Sequence, residues 1–238
     1  MQASFFRTIT LTAVAVAFNM PARAFSPLQA DFSSPNQPPA FMSTHIIATS
    51  GDAAAIASPG HGQTDGARGF VDIMAKKTVA FLADKSISEQ QKKSQFRTLL
   101  FADFDMDTIG RFVLGTYWRV ATPAQREEYQ KLFREMIAGA WAERFENYEG
   151  QKFELRTARP AEDSDKDTLV SSVIIPAGNP EIPVDWRVRF KDGHYKIVDV
   201  IVSGVSLSVT QRSDFASVIQ RGGGNVQVLL ANLRQQVQ

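Results

Sequence analysis

The sequence predicts an α+β fold in which helices pack on one small, curved antiparallel sheet of about four strands and enclose an apolar cavity. Between residues 69 and 150 apolar residues recur every three or four positions, which is the period of amphipathic helices. Between residues 151 and 202 they alternate, as in strands. The 17 Phe and three Trp supply much apolar surface, which is compatible with a filled core and with a cavity for an apolar ligand.

Composition divides the chain into three predicted segments. Residues 1–24 combine an early arginine, an apolar run of ten residues and the sequence Ala22-Arg-Ala24, a pattern typical of a cleavable signal peptide. The apolar run is shorter than the ~20 residues that span a bilayer, so we expect export and not anchoring. Residues 25–68 are rich in Pro, Ser, Gly and Ala and predict a flexible linker. Residues 69–238 predict the folded domain.

Apolar spacing and capping residues predict the first three helices. The first is expected from Gly69 onward. Ser88, with a glutamine three residues later, forms a capping box for the second. Asp105 or Asp107 is the predicted N-cap of a short third helix that ends at Gly115.

Three further helices are predicted. Thr122-Pro-Ala-Gln125 is a strong helix start, and the helix that it opens, residues 124–148, is predicted to be the longest of the chain. At 1.5 Å per residue it is a rod of roughly 37 Å, long enough to wall a cavity. Residues 213–220 and 225–236 predict two closing helices, separated by a turn of three glycines.

Four strands are predicted at residues 153–155, 169–175, 184–190 and 195–202. Asp192-Gly193 joins the last two, since a type I′ turn needs positive φ at both central residues. The register from this turn pairs Trp186 with Asp199 and Val184 with Ile201. It predicts that Asp199 lies among apolar side chains.

Charge and cysteine content exclude several classes of protein. The chain has 26 basic and 25 acidic residues, and removal of Arg7 and Arg23 with the signal peptide leaves 24 and 25, a net charge of about −1. Without a basic excess we expect no nucleic acid binding. The absence of cysteine excludes disulfides, thiolate metal sites and cysteine nucleophiles.

The candidate catalytic and metal-binding residues are few. His194 is the sole histidine of the predicted domain and lies beside a hairpin turn, which argues against a multi-histidine metal site and a Ser-His-Asp triad. The sequence Asp103-x-Asp-x-Asp107 lacks the glycine and the closing glutamate of a calcium loop. Asp199 is the remaining candidate general base, but a structural carboxylate bonded to Trp186 or an arginine is the favoured interpretation. We therefore predict no catalytic residue, metal or cofactor.

Several segments, in their order and spacing, resemble the MlaC or toluene-tolerance family. They are Val113–Phe133, Tyr148-Glu-Gly150, Tyr195–Val200, Ser203-Gly-Val-Ser-Leu207 and Arg212-Ser-Asp-Phe215. The resemblance implies a periplasmic phospholipid carrier that shuttles lipid between an inner-membrane ABC transporter and an outer-membrane lipoprotein complex, with no enzymatic step. A hopanoid-associated branch shares much of the pattern, so a polycyclic lipid is an alternative cargo.

Seven apolar residues are the predicted tail-contacting walls, and core packing is the alternative for each. They are Phe112, Phe133, Ile137, Trp141, Val188, Ile197 and Ile201. Arg212 is a candidate for contact with a head group or partner, with surface solvation as the alternative. Two other functions stay open: an α+β enzyme that uses Asp199, and an interaction module with a filled core.

Overall fold

The structure is a computed structural model that describes residues 59–145 and 148–237. The predicted signal peptide and residues 25–58 of the predicted linker lie outside the described residues. The described residues form seven helices and five strands: α1 Pro59–Ala83, α2 Glu89–Asp103, α3 Met106–Leu114, α4 Tyr117–Val120, α5 Pro123–Phe145, β1 Lys152–Pro160, β2 Asp167–Ile175, β3 Ile182–Lys191, β4 His194–Val202, β5 Val205–Ser206, α6 Leu207–Arg221 and α7 Val226–Gln236. The predicted α+β class is confirmed.

Helix α1 begins at Pro59, ten residues before the predicted start at Gly69. The linker prediction is therefore wrong for residues 59–68, and α1, with 25 residues, is longer than α5 with 23. Glycine weakens isolated helices, but packing on the sheet overrides this propensity here. Ala67 is fully buried, and the hydroxyl of Tyr195 occupies the space that a Cβ at Gly66 would take.

The predicted capping residues of the other helices are confirmed. Ser88 and Gln91 form the reciprocal bonds of a capping box, with Ser88 N donating to Oε1 at 2.7 Å and Gln91 N to Oγ at 3.2 Å. Thr122 and Gln125 repeat this arrangement at the start of α5. Asp105 caps α3 through the backbone N–H of Thr108 at 2.9 Å. Helix α6, however, begins six residues before the predicted Ser213, because Ser206 and the turn before it already form its N-terminus.

The sheet is an antiparallel meander in the order β1-β2-β3-β4-β5, with a two-residue fifth strand beyond the four predicted. Asp192 and Gly193 have φ values of 52° and 80°, which confirms the predicted turn. The predicted register holds from the turn to the pair Val188 and Ile197.

A register shift after Val188 then displaces β4 by one residue, so that Asp199 lies opposite Arg187 and Val200 opposite Trp186. The predicted pairs Trp186 with Asp199 and Val184 with Ile201 are wrong for this reason. Because side chains alternate along a strand, Val200 and not Asp199 joins the buried face.

The outer face of the sheet carries ion pairs around the buried Asp167. Arg189 donates to this carboxylate from Nε at 2.7 Å and from Nη2 at 2.9 Å, and Arg187 bonds both Asp167 and the exposed Asp163. Burial raises the pKa of Asp167, but the hydrogen bonds and charge of the arginines lower it more, so the pKa lies below its usual range.

The apolar interior consists of two clusters. The helical cluster joins the C-terminal end of α1 to α2, α3, α5, α6 and α7 around buried residues such as Tyr129, Phe133 and Leu230. The sheet cluster joins α1 to the inner face of β2, β3 and β4. Leu99 and Phe104 pack against both clusters. None of the helices in the described ranges is long and apolar enough to cross a membrane.

Candidate functional site

An apolar cleft with a volume of about 260 Å³ lies where the helical and sheet clusters meet. Helix α1 forms one wall through five residues spaced along one stripe. The sheet supplies a second wall, and α2, α5 and the segment before β1 close the remaining side. The lining residues are Met74, Ala75, Thr78, Val79, Leu82, Phe96, Leu99, Phe104, Trp141, Tyr148, Gln151, Lys152, Phe153, Ile174 and Trp186.

The cleft walls carry few free polar groups. Lys152 is the one charged residue among those that line the cleft, and its side chain is exposed. The hydroxyl of Thr78 donates to the carbonyl of Met74 at 2.9 Å, and the indole N–H of Trp186 donates to Ser172 Oγ at 2.9 Å. Because these two polar groups are bonded within the protein, the surface that they present to the cleft is largely apolar.

Aromatic pairs stiffen the two sides of the cleft. On the helical side the rings of Phe96 and Trp141 have centroids 6.4 Å apart. On the sheet side Phe153 and Trp186 meet edge to face at 6.3 Å. Both separations fall in the range of favourable aromatic contacts, so these rings hold fixed apolar surfaces against a ligand.

Of the seven predicted wall residues, Trp141 lines the cleft. Phe133 and Ile137 pack in the helical cluster, and Val188 and Ile197 are buried in the sheet cluster. These four side chains pack within the two clusters and do not line the cleft.

The last two predicted wall residues lie elsewhere. Phe112 is exposed beneath the guanidinium of Arg212, at 5.1 Å. Ile201 lies opposite Asp185 on the outer face of the sheet, where the register shift places it. Lipid contact by the six residues that do not line the cleft stays a prediction.

The sequence reasoning missed the wall of α1 and also the sheet residues Phe153, Ile174 and Trp186. Met74, Thr78 and Leu82 recur at intervals of four along α1, the spacing of a helical stripe that covers a core. The same spacing describes a stripe that faces a cavity. The mixed character of the stripe, with a threonine between two long apolar residues, is the signal that could have indicated a ligand-facing wall.

Asp199 has a structural role outside the cleft. Its carboxylate accepts hydrogen bonds from Val200 N at 2.9 Å, Ser208 N at 3.1 Å and Ser206 Oγ at 2.6 Å. It thereby ties the end of β4 to the N-terminus of α6, where negative charge is favourable. The structural interpretation holds, although the predicted partner Trp186 bonds Ser172 instead.

The other titratable candidates are also accounted for. His194 is exposed at the hairpin turn, and Asp105 is the helix cap described above. Burial raises the pKa of Asp103, and the charges of Lys77 and Lys196 offset this in part. Within residues 59–145 and 148–237 no group of three or more His, Asp or Glu side chains is placed to hold a metal ion.

The fold and the cleft define an α+β protein with an apolar cleft between a helical cluster and an antiparallel sheet. The sequence model of the MlaC protein family matches residues 73–235, which include every cleft residue. The chain belongs to the MlaC family, as the sequence resemblance indicated.

Two named relatives and one solved structure resemble the chain. It is 24% identical over 152 residues to the intermembrane phospholipid transport system binding protein MlaC of Haemophilus influenzae, covering 61% of this chain and 70% of the relative. It is 24% identical over 164 residues to the toluene tolerance protein ttg2D of Pseudomonas putida, covering 65% and 75%. A phospholipid-binding protein from Ralstonia solanacearum, solved with a phospholipid, matches with a TM-score of 0.64 and 25% identity over 72% of this chain and 96% of that one.

Proposed function

We propose that this protein is a periplasmic phospholipid carrier that holds acyl chains in the cleft between α1 and the sheet. The observation that carries the proposal is the cleft itself, whose fifteen lining residues include a single charge. The relative from Ralstonia solanacearum was solved with a phospholipid and shares the fold over almost its whole length. An apolar site of this kind binds hydrocarbon through burial and needs no charged recognition group.

The volume of the cleft sets the scale of the binding energy. At the ~30 Å³ that a water molecule occupies in the liquid, a cleft of about 260 Å³ holds at least roughly nine groups the size of a methylene. At about 0.8 kcal/mol per buried methylene, these contribute about 7 kcal/mol. This gain from burial, less the free-energy cost of association, favours retention of part of an acyl chain in the cleft.

We expect the cleft to widen when it accepts a two-tailed lipid. Nine methylene-sized groups correspond to less than one full acyl chain. Helix α1 contributes buried residues to both clusters, so its displacement from the sheet exposes part of this packing, and burial of the ligand has to offset that cost. We expect the bound state to have a greater separation between α1 and the sheet.

Membership of the family supports a proposal for the transport route. We propose that the carrier exchanges lipid with an inner-membrane ABC transporter and an outer-membrane lipoprotein complex, as the name of the Haemophilus influenzae relative, an intermembrane transport system binding protein, suggests. The carrier then acts passively: the cleft opens, the tails enter, the polar head stays near solvent, and the partners set the direction. No bond is made or broken.

Mass spectrometry of lipid extracted from protein purified without detergent tests the proposal. We expect diacyl phospholipid at a fixed ratio to protein. Recovery of a polycyclic lipid instead would keep the carrier function and change the cargo. Recovery of no lipid, even after incubation with membranes, would overturn the proposal and favour a filled interaction module.

A further inference from the structure

A corner formed by α3 and α4 brings arginines and aromatic rings together. The guanidinium of Arg111 lies 5.8 Å from the ring centroid of Trp118, and that of Arg126 lies 5.6 Å from the same centroid. Arg212, from α6, lies 5.1 Å from the ring of Phe112. With the exposed Arg119, four arginines therefore share this corner.

The four arginines of the α3–α4 corner are not neutralised by acidic side chains. Within the part of the chain that the structure describes, none of them forms an ion pair. Arg134 and Arg234, on the neighbouring α5 and α7, do pair, with Asp107 and Glu128. Because the whole chain has 26 basic and 25 acidic residues, the positive charge is a local concentration and not a general excess.

The guanidinium groups keep hydrogen-bond donors for a ligand. Arg126 uses Nε and Nη2 to bond the carbonyls of Trp118 and Arg119, at 2.7 and 3.2 Å, and so fixes the end of α4. The guanidinium groups of Arg111 and Arg212 lie over rings and form no ion pair within the described residues, although Nε of Arg212 faces Gly115. Planar N–H edges suit the oxygen atoms of phosphate groups.

Exposed apolar side chains accompany the positive charge. Val120 is 70% exposed and Phe112 is 41% exposed. Each stands singly between arginines, in contrast to the continuous apolar centre and polar rim of a protein–protein interface. Interleaved cationic, aromatic and apolar side chains are typical of surfaces that lie in the headgroup region of a membrane.

We infer that the α3–α4 corner docks on the headgroups of an anionic membrane surface. Anionic lipids attract the four arginines, and Val120 and Phe112 enter the boundary between headgroups and acyl chains. The corner contributes no residue to the cleft, so the cleft stays free while the protein is docked. The docking is independent of the proposed lipid cargo and would serve to hold the protein at a bilayer.

Sedimentation with lipid vesicles tests this inference. The purified protein is mixed with vesicles of phosphatidylglycerol and phosphatidylcholine, or of phosphatidylcholine alone, at about 0.1 M salt, where the screening length is ~10 Å. We expect at least about tenfold stronger partition onto the anionic vesicles, because each exposed arginine near such a surface contributes roughly fivefold. Arg119→Gln should lower the partition about fivefold, and Arg119→Lys should retain it.

Matched variants on α1 provide the controls. Arg68→Gln removes an exposed arginine and Ile73→Asp changes an apolar residue that is 55% exposed, and neither should alter partition. Val120→Asp should lower it at least as much as Arg119→Gln. Two results would overturn the inference: equal partition of the wild type onto both kinds of vesicle, or equal losses in Arg68→Gln and Arg119→Gln. Equal partition onto both vesicles would favour an acidic protein as the partner of the corner.

The lipid content of the same samples separates this inference from the proposed function. Arg119→Gln should keep its extracted lipid while it loses vesicle binding. A variant with a blocked cleft should lose lipid and keep vesicle binding. If the two properties are lost together in both variants, vesicle binding reflects lipid uptake and the inference is wrong.

Discussion

Replacing Ala75 with tryptophan should block the cleft and abolish lipid retention. Ala75 lies on α1, is buried, and lines the cleft. The substitution adds nine non-hydrogen atoms, comparable with the roughly nine methylene-sized groups that the cleft can hold at ~30 Å³ each. An indole directed into the cleft would therefore exclude most of a ligand.

The expected loss follows from the buried hydrocarbon. If the indole displaces only half of the methylenes, about four, the lost burial is about 3 kcal/mol, or more than a hundredfold in affinity. Overpacking lowers the free energy of unfolding by about 1–3 kcal/mol, which a domain of this size tolerates. The amount of lipid recovered per protein should then fall at least about tenfold. This is less than the loss in affinity, because a tight site is nearly full and its occupancy changes less than its affinity.

The assay is quantitative mass spectrometry of lipid extracted from detergent-free protein, with circular dichroism to confirm folding. Ala80→Trp is the matched control, because Ala80 lies on the same helix and is exposed. It should retain the wild-type lipid content. A folded Ala75→Trp protein with as much lipid as the Ala80→Trp protein would refute the assignment of the cleft as the lipid site.

Three further predictions concern stability, Asp199 and the widening of the cleft. Asp167→Asn should lower the free energy of unfolding by about 2 kcal/mol at pH 7, because it leaves a partly buried arginine unpaired, whereas Asp163→Asn, at an exposed position, should have a much smaller effect. Since the pKa of Asp167 is lowered in the folded protein, its contribution to stability is present above about pH 4 and is lost as the pH falls through the folded pKa. In urea titrations, the difference in free energy of unfolding between wild type and Asp167→Asn should be smaller at pH 3 than at pH 7. An equal difference at both pH values would contradict this. Asp199→Asn should reduce stability by about 1 kcal/mol and leave the lipid content unchanged, so loss of lipid or of a turnover activity in a folded variant would contradict its structural role. Spin labels at Ile73→Cys and Thr157→Cys, in a chain without native cysteine, should move apart when phospholipid is added, and an unchanged distance would argue against displacement of α1.

Local signals in the sequence predicted most of the helices and the main hairpin. The capping residues at Ser88, Asp105 and Thr122 were correct because each cap is decided by hydrogen bonds over three residues. The Asp192-Gly193 turn was correct because positive φ at two successive positions restricts the residue types. These features depend on near neighbours only.

The errors arose where distant residues decide the structure. The shift of β4 after Val188 has no local marker, and it moved Asp199 and Ile201 to the outer face. The first turns of α1 contain glycines that a local reading assigns to a linker, yet the helix is stabilised by the sheet beneath it. Both outcomes depend on packing between elements.

The sequence by itself determined the class of fold, the helix caps, the hairpin turn and the family, because periodicity, capping chemistry and motif order are properties of the chain. The tertiary structure decided which apolar residues line the cleft. Phe133 and Met74 are both apolar residues on helical stripes, and only Met74 borders the cleft. The cleft lies where the helical and sheet clusters do not fill the space between them. Its position depends on the packing of α1 against the sheet and of α2 against α5.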